Sequence, residues 1–165
     1  MIVLKHPFAI IIVGFRGAGK TTLIKKILSQ YPAENRVIFD PNNEYKGGLR
    51  YLNFERFKTD TEIHTNKVFI FEEATAFIGQ GVGDLDIVNL LIRLRHKKNS
   101  AIFVFHSLRS IPVKIFDFID RLYVFKTNDR LDLVLKKYKD VLTENEIKQL
   151  FKLEQYKFKE FIFTK

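Results

Sequence analysis

A chain of 165 residues, 46% hydrophobic and 14% aromatic, with no Cys and no Trp, is long enough to bury roughly 70% of its extended-chain surface, so one domain over residues 1–165 is expected without disulfide or metal staples. The lack of cysteine excludes a thiolate nucleophile, a Cys-based zinc site and a disulfide framework, and points to host cytoplasm or virion rather than an oxidising compartment. The net charge of +9, with 17 basic and 11 acidic groups in residues 84–165 against 11 and 8 in residues 1–83, suits a polyanionic partner, nucleic acid or an anionic membrane, or serves solubility alone.

In chain order, a uniformly apolar run at residues 8–13 reads as a strand buried on both faces; it is too short to span a bilayer and lacks a signal-peptide cleavage pattern, so a soluble protein without a transmembrane segment is expected. A helical spacing follows at 21–30, then strands at 37–39 and 68–71. Gly79, Gly81 and Gly83 make the next segment either a moving loop or an irregular connection. A helix is expected at 85–97, with Leu90, Leu91 and Leu94 on one side. Beyond it lie a strand at 101–105, a helix at 113–118, a strand at 121–125 and a helix at 131–138. Thr143 with Glu146 reads as a capping box opening a short C-terminal helix through Leu150 and Phe151. After it, Tyr156, Phe158, Phe161 and Phe163, interleaved with Lys157, Lys159 and Glu160, suggest a last strand with one wetter face, at a sheet edge. Strand and helix by turns predicts an α/β fold, a mostly parallel central sheet with helices on both faces and ligands at the strand C-termini.

The segment Gly14-Phe15-Arg16-Gly17-Ala18-Gly19-Lys20-Thr21 fits G-x-x-x-x-G-K-[ST] at every fixed position, directly after one predicted strand and before a helix. Such a P-loop, or Walker A segment, curls consecutive backbone N–H groups round a β-phosphate and adds the dipole of the following helix. Gly14, Arg16, Gly17, Ala18, Gly19, Lys20, Thr21 and Thr22 are therefore candidate ATP-binding residues. Lys20 would bridge the β- and γ-phosphates, Thr21 would ligate Mg²⁺, and Thr22 would reach the α-phosphate. A glycine-rich connecting turn would not require Lys and Thr in that register.

The strand at 68–71 ends in Glu72-Glu73, which looks like a Walker B segment. Adjacent acids at that edge divide the labour, Glu72 orienting hydrated Mg²⁺ and Glu73 polarising the attacking water; the alternative is a solvated turn. The strand at 101–105 ends in His106-Ser107, where His106 either senses the γ-phosphate and holds water or is a satisfied structural histidine. Arg93-Leu94-Arg95-His96-Lys97-Lys98 is either a cationic helix end favoured by the macrodipole or an arginine finger inserted into a neighbouring subunit's nucleotide. His6 and His64 show no metal-ligand spacing. Asp40-Pro41-Asn42-Asn43-Glu44-Tyr45 closes the second strand near the same edge, with no chemistry legible from its spacing.

Taken together these motifs resemble the FtsK/HerA superfamily of RecA-like ATPases, particularly the genome-packaging ATPases of membrane-containing icosahedral viruses. The resemblance rests on residues 14–21, on Val37-Ile38-Phe39-Asp40-Pro41 with Glu44-Tyr45, on Glu72-Glu73, on Arg95-His96 followed by Asn99, and on His106-Ser107 with Ile111-Pro112. It implies a ring-forming motor that pumps double-stranded DNA, docks on capsid or portal proteins, and receives its finger arginine in trans, Arg95 matching best and Arg93 second. The family usually carries Gln where this chain has His106 and Asp where it has Glu72. Two other functions remain open at the sequence level. One is a small P-loop kinase acting on a metabolite or nucleotide, which Glu73 and the stretch from Arg95 to His106 argue against. The other is a nucleotide-gated phage assembly factor with little hydrolysis.

Overall fold

The computed structural model describes residues 4–74 and 84–163; the glycine-rich connection at 79–83 lies outside the described residues. Seven strands form one sheet: β1 Ala9–Val13, β2 Arg36–Phe39, β3 Leu49–Tyr51, β4 Val68–Phe71, β5 Ser100–Phe105, β6 Arg121–Phe125 and β7 Phe158–Ile162. Their order is β3-β2-β4-β5-β1-β6-β7. All neighbours are parallel except β6 and β7. The helices are α1 Lys20–Leu28, α2 Phe54–Ile63, α3 Asp84–His96, α4 Leu131–Tyr138 and α5 Glu144–Leu150.

Every residue of β1, β4 and β5 is buried, which explains their unbroken Ile, Val and Phe content: alternate side chains must satisfy opposite faces of a sheet covered on both sides. Ile10, Ile12, Ile102 and Val104 face α1, with Leu23, Ile24 and Ile27 against them. Ile11, Val13, Phe103 and Phe105 face the other layer, built from Phe57 of α2, Leu91 and Leu94 of α3, and residues of α4 and α5. Each such side chain contributes about 1.5–3 kcal/mol of transfer free energy, so the sheet interior sets the frame on which the strand ends are held.

Most of the expected elements are present. The capping box at Thr143 and Glu146 is formed in both directions. The expected helix at 113–118 is instead a 3-10 turn, Val113–Asp117, entered through Pro112. The last strand is an edge strand, antiparallel to β6, but its aromatics divide between faces. Phe161 is buried in the core, whereas Phe158 and Ile162 are exposed on the other side. β3 and α2 carry no clear sequence signal: β3 has three exposed or half-buried residues, and α2 buries only Phe57 and Thr61.

Because β1, β2, β4, β5 and β6 run in one direction, Gly14, Asp40, Glu72, His106 and Lys126, the residues just past their C-terminal ends, come to a single edge. Gly14 N–H donates to the Phe105 carbonyl at 3.1 Å, and Phe15 N–H to that of Lys126 at 3.0 Å, tying the loop after β1 to the ends of both neighbours.

Candidate active site

The loop at 14–19 is shaped by two glycines for different reasons. At Gly14 a Cβ would stand 2.6 Å from Cβ of Phe125, closer than packed atoms tolerate. Gly19 is the N-cap of α1 at φ +105°, with no side-chain cap and no acid in the first turn, so the first N–H groups of the helix and its positive dipole end stay available to an anion. Ala18 is buried beside the core, Arg16 and Gly17 are exposed, and Thr21 is half-buried.

Lys20 is only 5% exposed. Its ammonium donates to the carbonyls of Gly14 at 2.8 Å and Phe15 at 3.1 Å and approaches Nδ1 of His106 at 3.3 Å. Burial lowers its pKa, opposed by the charges of Glu72, Glu73 and Glu44. Since an ammonium has no lone pair to offer, His106 Nδ1 must accept from Lys20, which leaves the ring proton on Nε2. That nitrogen lies 2.8 Å from Oε2 of Glu73. Donor accounting therefore gives a directed chain from Lys20 through His106 to Glu73. Glu73 itself sits at φ +60°, a left-handed conformation that costs a non-glycine residue about 1–2 kcal/mol. The tight turn aims its carboxylate at His106, and Asn42 Nδ2 lies 3.5 Å from its other oxygen.

Arg16, Gly17, Lys20, Thr21, Asn42, Glu44, Glu72, Glu73 and His106 line one cavity of about 330 Å³, so the loop, the acid pair and His106 meet as the motif spacing implies. The loop after β2 supplies what spacing did not reveal. Asp40, fully buried, accepts from the N–H groups of Glu44 at 2.8 Å and Tyr45 at 3.0 Å. That turn carries Glu44 to Thr21, whose hydroxyl donates to Oε2 of Glu44 at 2.9 Å. It also carries Tyr45 to Glu72, the phenol donating at 2.8 Å. The sequence reading placed Glu44 and Tyr45 near this edge and in the resemblance but assigned them no role. The Asp40 carboxylate places them by accepting from N–H groups four and five residues on, which spacing alone does not signal.

Three carboxylates face two cations, Lys20 and Arg16, across this cavity. A polyphosphate there adds further negative charge, so the donor set suits a divalent cation held by Thr21 and Glu72, with Glu44 adjacent. Mg²⁺ keeps waters and takes one or two carboxylates plus phosphate oxygens, a set to which Thr21 and Glu72 could contribute.

Glu72 is 4% exposed. Burial, the largest cause, raises its carboxyl from 4.5 to about 7; Glu44 and Glu73 add to the rise, and the Tyr45 hydrogen bond and Lys20 oppose it. Between the two values the folded chain holds a proton that the unfolded chain releases, so this group's contribution to stability falls as pH rises through the window. In metal-free buffer, Glu72→Gln is expected to gain stability relative to wild type by on the order of 3 kcal/mol from about pH 4 to about pH 8. Denaturant melts at several pH values check this, and parallel curves for the two proteins would show an ordinary carboxyl.

The remaining candidates lie elsewhere. Ser107 faces away from the cavity, donating to Asp129 at 2.5 Å. Thr22 is exposed and lines a separate cleft. Arg93 and Arg95 are on the last turn of α3. Arg95 binds both oxygens of Asp120 at 3.0 Å, and Asp120 precedes β6 and caps the start of β1 through Ala9 N–H. This is the sheet edge opposite the phosphate loop, and neither arginine lines the cavity.

Comparison with solved structures places this architecture. The chain is similar over 96% of its length to the genome packaging NTPase B204 from Sulfolobus turreted icosahedral virus 2, solved with sulfate, covering 92% of that chain with a TM-score of 0.77 at 18% identity. The fold is that of a P-loop NTPase. The same fold matches the B204 DNA-packaging ATPase from Sulfolobus Turreted Icosahedral Virus with a TM-score of 0.74 at 18% identity, covering 96% of this chain and 94% of that one. The N-terminal domain of zonular occludens toxin from Neisseria meningitidis shares it over 72% of this chain and 76% of that one, with a TM-score of 0.54 at 14% identity. No family model matches the P-loop chain, and no curated protein matches its sequence. Among its described residues no helix is long and apolar enough to cross a membrane.

Proposed function

We propose that the protein hydrolyses ATP with Mg²⁺ as a homo-oligomeric ring and uses the cycle to move double-stranded DNA into a viral capsid. The observation that carries this reading is the chain Lys20, His106, Glu73 at the mouth of the phosphate loop. It joins the group that would neutralise the phosphates to the carboxylate that would take a proton from water. The loop N–H groups and the α1 N-terminus hold the β-phosphate, and Lys20 balances charge on the terminal phosphoryl. Glu73 accepts the proton of the attacking water, whose oxygen forms a bond to the γ-phosphorus as the bond to ADP breaks. His106 holds Glu73 in place. Mg²⁺, when bound at Thr21 and Glu72, supplies neutralisation of charge on the phosphoryl oxygens.

The extent of the likeness to B204, a protein solved with AMP, AMPPCP and ATP-gammaS, supports the packaging reading over a kinase. It exceeds the likeness to zonular occludens toxin in both coverage and TM-score. Arg93, exposed, is a better finger for a neighbouring subunit than Arg95, whose Nη2 already holds both oxygens of Asp120. Lys98, Lys114, Lys126, Lys136 and Lys139 are exposed and supply positive charge for a DNA path, and capsid or portal proteins are the docking partners of such a ring.

Phosphate release measured with and without double-stranded DNA over a range of salt, on protein of known solution mass, tests the proposal. The expected result is an oligomer whose turnover rises with DNA, the stimulation fading as salt increases. A monomer that turns over ATP indifferently to DNA would replace the motor with a small P-loop kinase.

A further inference from the structure

A cavity of about 300 Å³ lies between α1 and the loop after β2, with Lys25, Arg36, Glu44, Tyr45 and Lys46 in its lining. We infer that it receives a phosphate of the DNA backbone and relays that contact, through Tyr45 and Glu44, to the residues that would hold Mg²⁺. This deepens the motor reading and rests on it.

Three cations meet one carboxylate in the lining. Lys25 and Lys46 are exposed, and neither enters a hydrogen bond or ion pair among the described residues. Arg36 is held from one side: its Nε and Nη2 donate to the Tyr31 carbonyl at 2.9 and 2.5 Å. Its Nη1 turns toward Gly47, where a Cβ would lie 3.9 Å away. Glu44 is the single acid, and one of its oxygens already accepts from Thr21. Cations gathered round a concave surface without a counter-charge repel one another, and an anion seated there relieves the repulsion. A fixed guanidinium flanked by two flexible ammoniums suits a phosphate, whose oxygens accept from several donors at once. Because both lysines stand at the surface, the cavity is open to a phosphate that is part of a duplex.

Tyr45 ties this cavity to the catalytic edge. Lys25 Nζ stands 5.8 Å from the centre of its ring. Its N–H donates to Asp40 at 3.0 Å, its carbonyl accepts from Arg50 at 2.8 Å, and its hydroxyl donates to Glu72 at 2.8 Å. With each polar group bound and only 2% of the residue exposed, Tyr45 moves as one piece with its loop. Gly47 and Gly48, at φ +74° and +87°, close that loop just past Lys46. Glu44, next to Tyr45, carries the same displacement to Thr21. A phosphate drawing Lys25 and Lys46 together therefore bears on Thr21 and Glu72 at once. By reciprocity, nucleotide with Mg²⁺ alters the hold on DNA by the same factor.

The test measures duplex DNA binding by fluorescence anisotropy over a salt series, and ATP turnover at saturating DNA. Its proteins are wild type, Lys25→Ala/Lys46→Ala, Tyr45→Phe and, as control, Lys136→Ala/Lys139→Ala. Removing Lys25 and Lys46 is expected to weaken DNA binding by about 2- to 30-fold, the range for two exposed charge contacts. The slope of log K on log salt falls in magnitude by about 2. Turnover without DNA stays at the wild-type rate, and stimulation at saturating DNA is lost. Tyr45→Phe keeps the DNA affinity and its salt slope but loses stimulation. The control loses affinity and keeps stimulation once DNA saturates. The inference is overturned if the Lys25/Lys46 variant or Tyr45→Phe is stimulated like wild type, or if the control loses stimulation equally. Stimulation of wild type by inorganic phosphate as strong as that by DNA also overturns it, giving the cavity to a free anion. Wild type that turns over ATP without binding DNA removes the motor reading itself.

Discussion

Glu73→Gln is expected to bind ATP within a few-fold of wild type while turnover drops by about 10²- to 10⁴-fold, the contribution typical of a positioned general base. The substitution isolates the proton from the geometry. Glutamine is nearly isosteric, and its carbonyl oxygen still accepts from His106 Nε2, 2.8 Å from the present carboxylate oxygen, so the turn at φ +60° keeps its tie. Lys20, Thr21 and the loop N–H groups are untouched, which preserves phosphate binding. Only the capacity to take a proton from water is gone. Steady-state phosphate release beside equilibrium ATP binding separates the two effects. Wild-type turnover by this variant would strip Glu73 of its role and pass it to Glu44 or Glu72, the other carboxylates of the cavity.

The contrast between Glu73 and Glu44 shows what was legible beforehand. Glu73 follows a four-residue apolar strand, and a buried parallel strand fixes the place of whatever ends it, so its arrival at the phosphate loop is set by local sequence and strand direction. Glu44 stands five residues past β2, and its position depends on Asp40 folding the loop back through two backbone N–H groups. Spacing alone carries no trace of that. His106 is intermediate: its strand end placed it at the correct edge, but its partners come from the start of α1 and the turn after β4, and only the assembled fold brings them together. Arg95 shows the opposite limit. Its charge marked it for function, yet pairing with Asp120 depends on α3 running antiparallel to the strands and ending at the far edge. The fold was read best where burial is continuous, as in β1, β4 and β5. It was read worst at β3 and α2, whose exposed residues leave hydrophobic periodicity with little to report.

Lys20→Ala is expected to weaken ATP binding by about 10²- to 10⁴-fold and with it to remove turnover. Two charge-assisted hydrogen bonds to phosphate oxygens, each about 1.5–3 kcal/mol, set that range. The mutation also unbalances the cavity. It leaves Glu44, Glu72 and Glu73 facing the exposed Arg16 alone, so that an incoming polyphosphate meets repulsion where it had met a buried cation. A thermal-shift measurement reads this without relying on catalysis. Wild type in nucleotide at about 100 times its Kd gains about 2.7 kcal/mol of stability, whereas the variant at the same concentration gains almost nothing. Folding and binding are separable in the same experiment. The ammonium is held by two loop carbonyls and His106, and burial already lowers its pKa, so its removal relieves a desolvation cost while it frees those acceptors. The nucleotide-free melting temperature should therefore move by only a few degrees, corresponding to roughly 1 kcal/mol. An undiminished nucleotide shift in Lys20→Ala would mean that the triphosphate sits away from the loop after β1, and the roles given to Thr21, Glu72 and Glu73 would go with it.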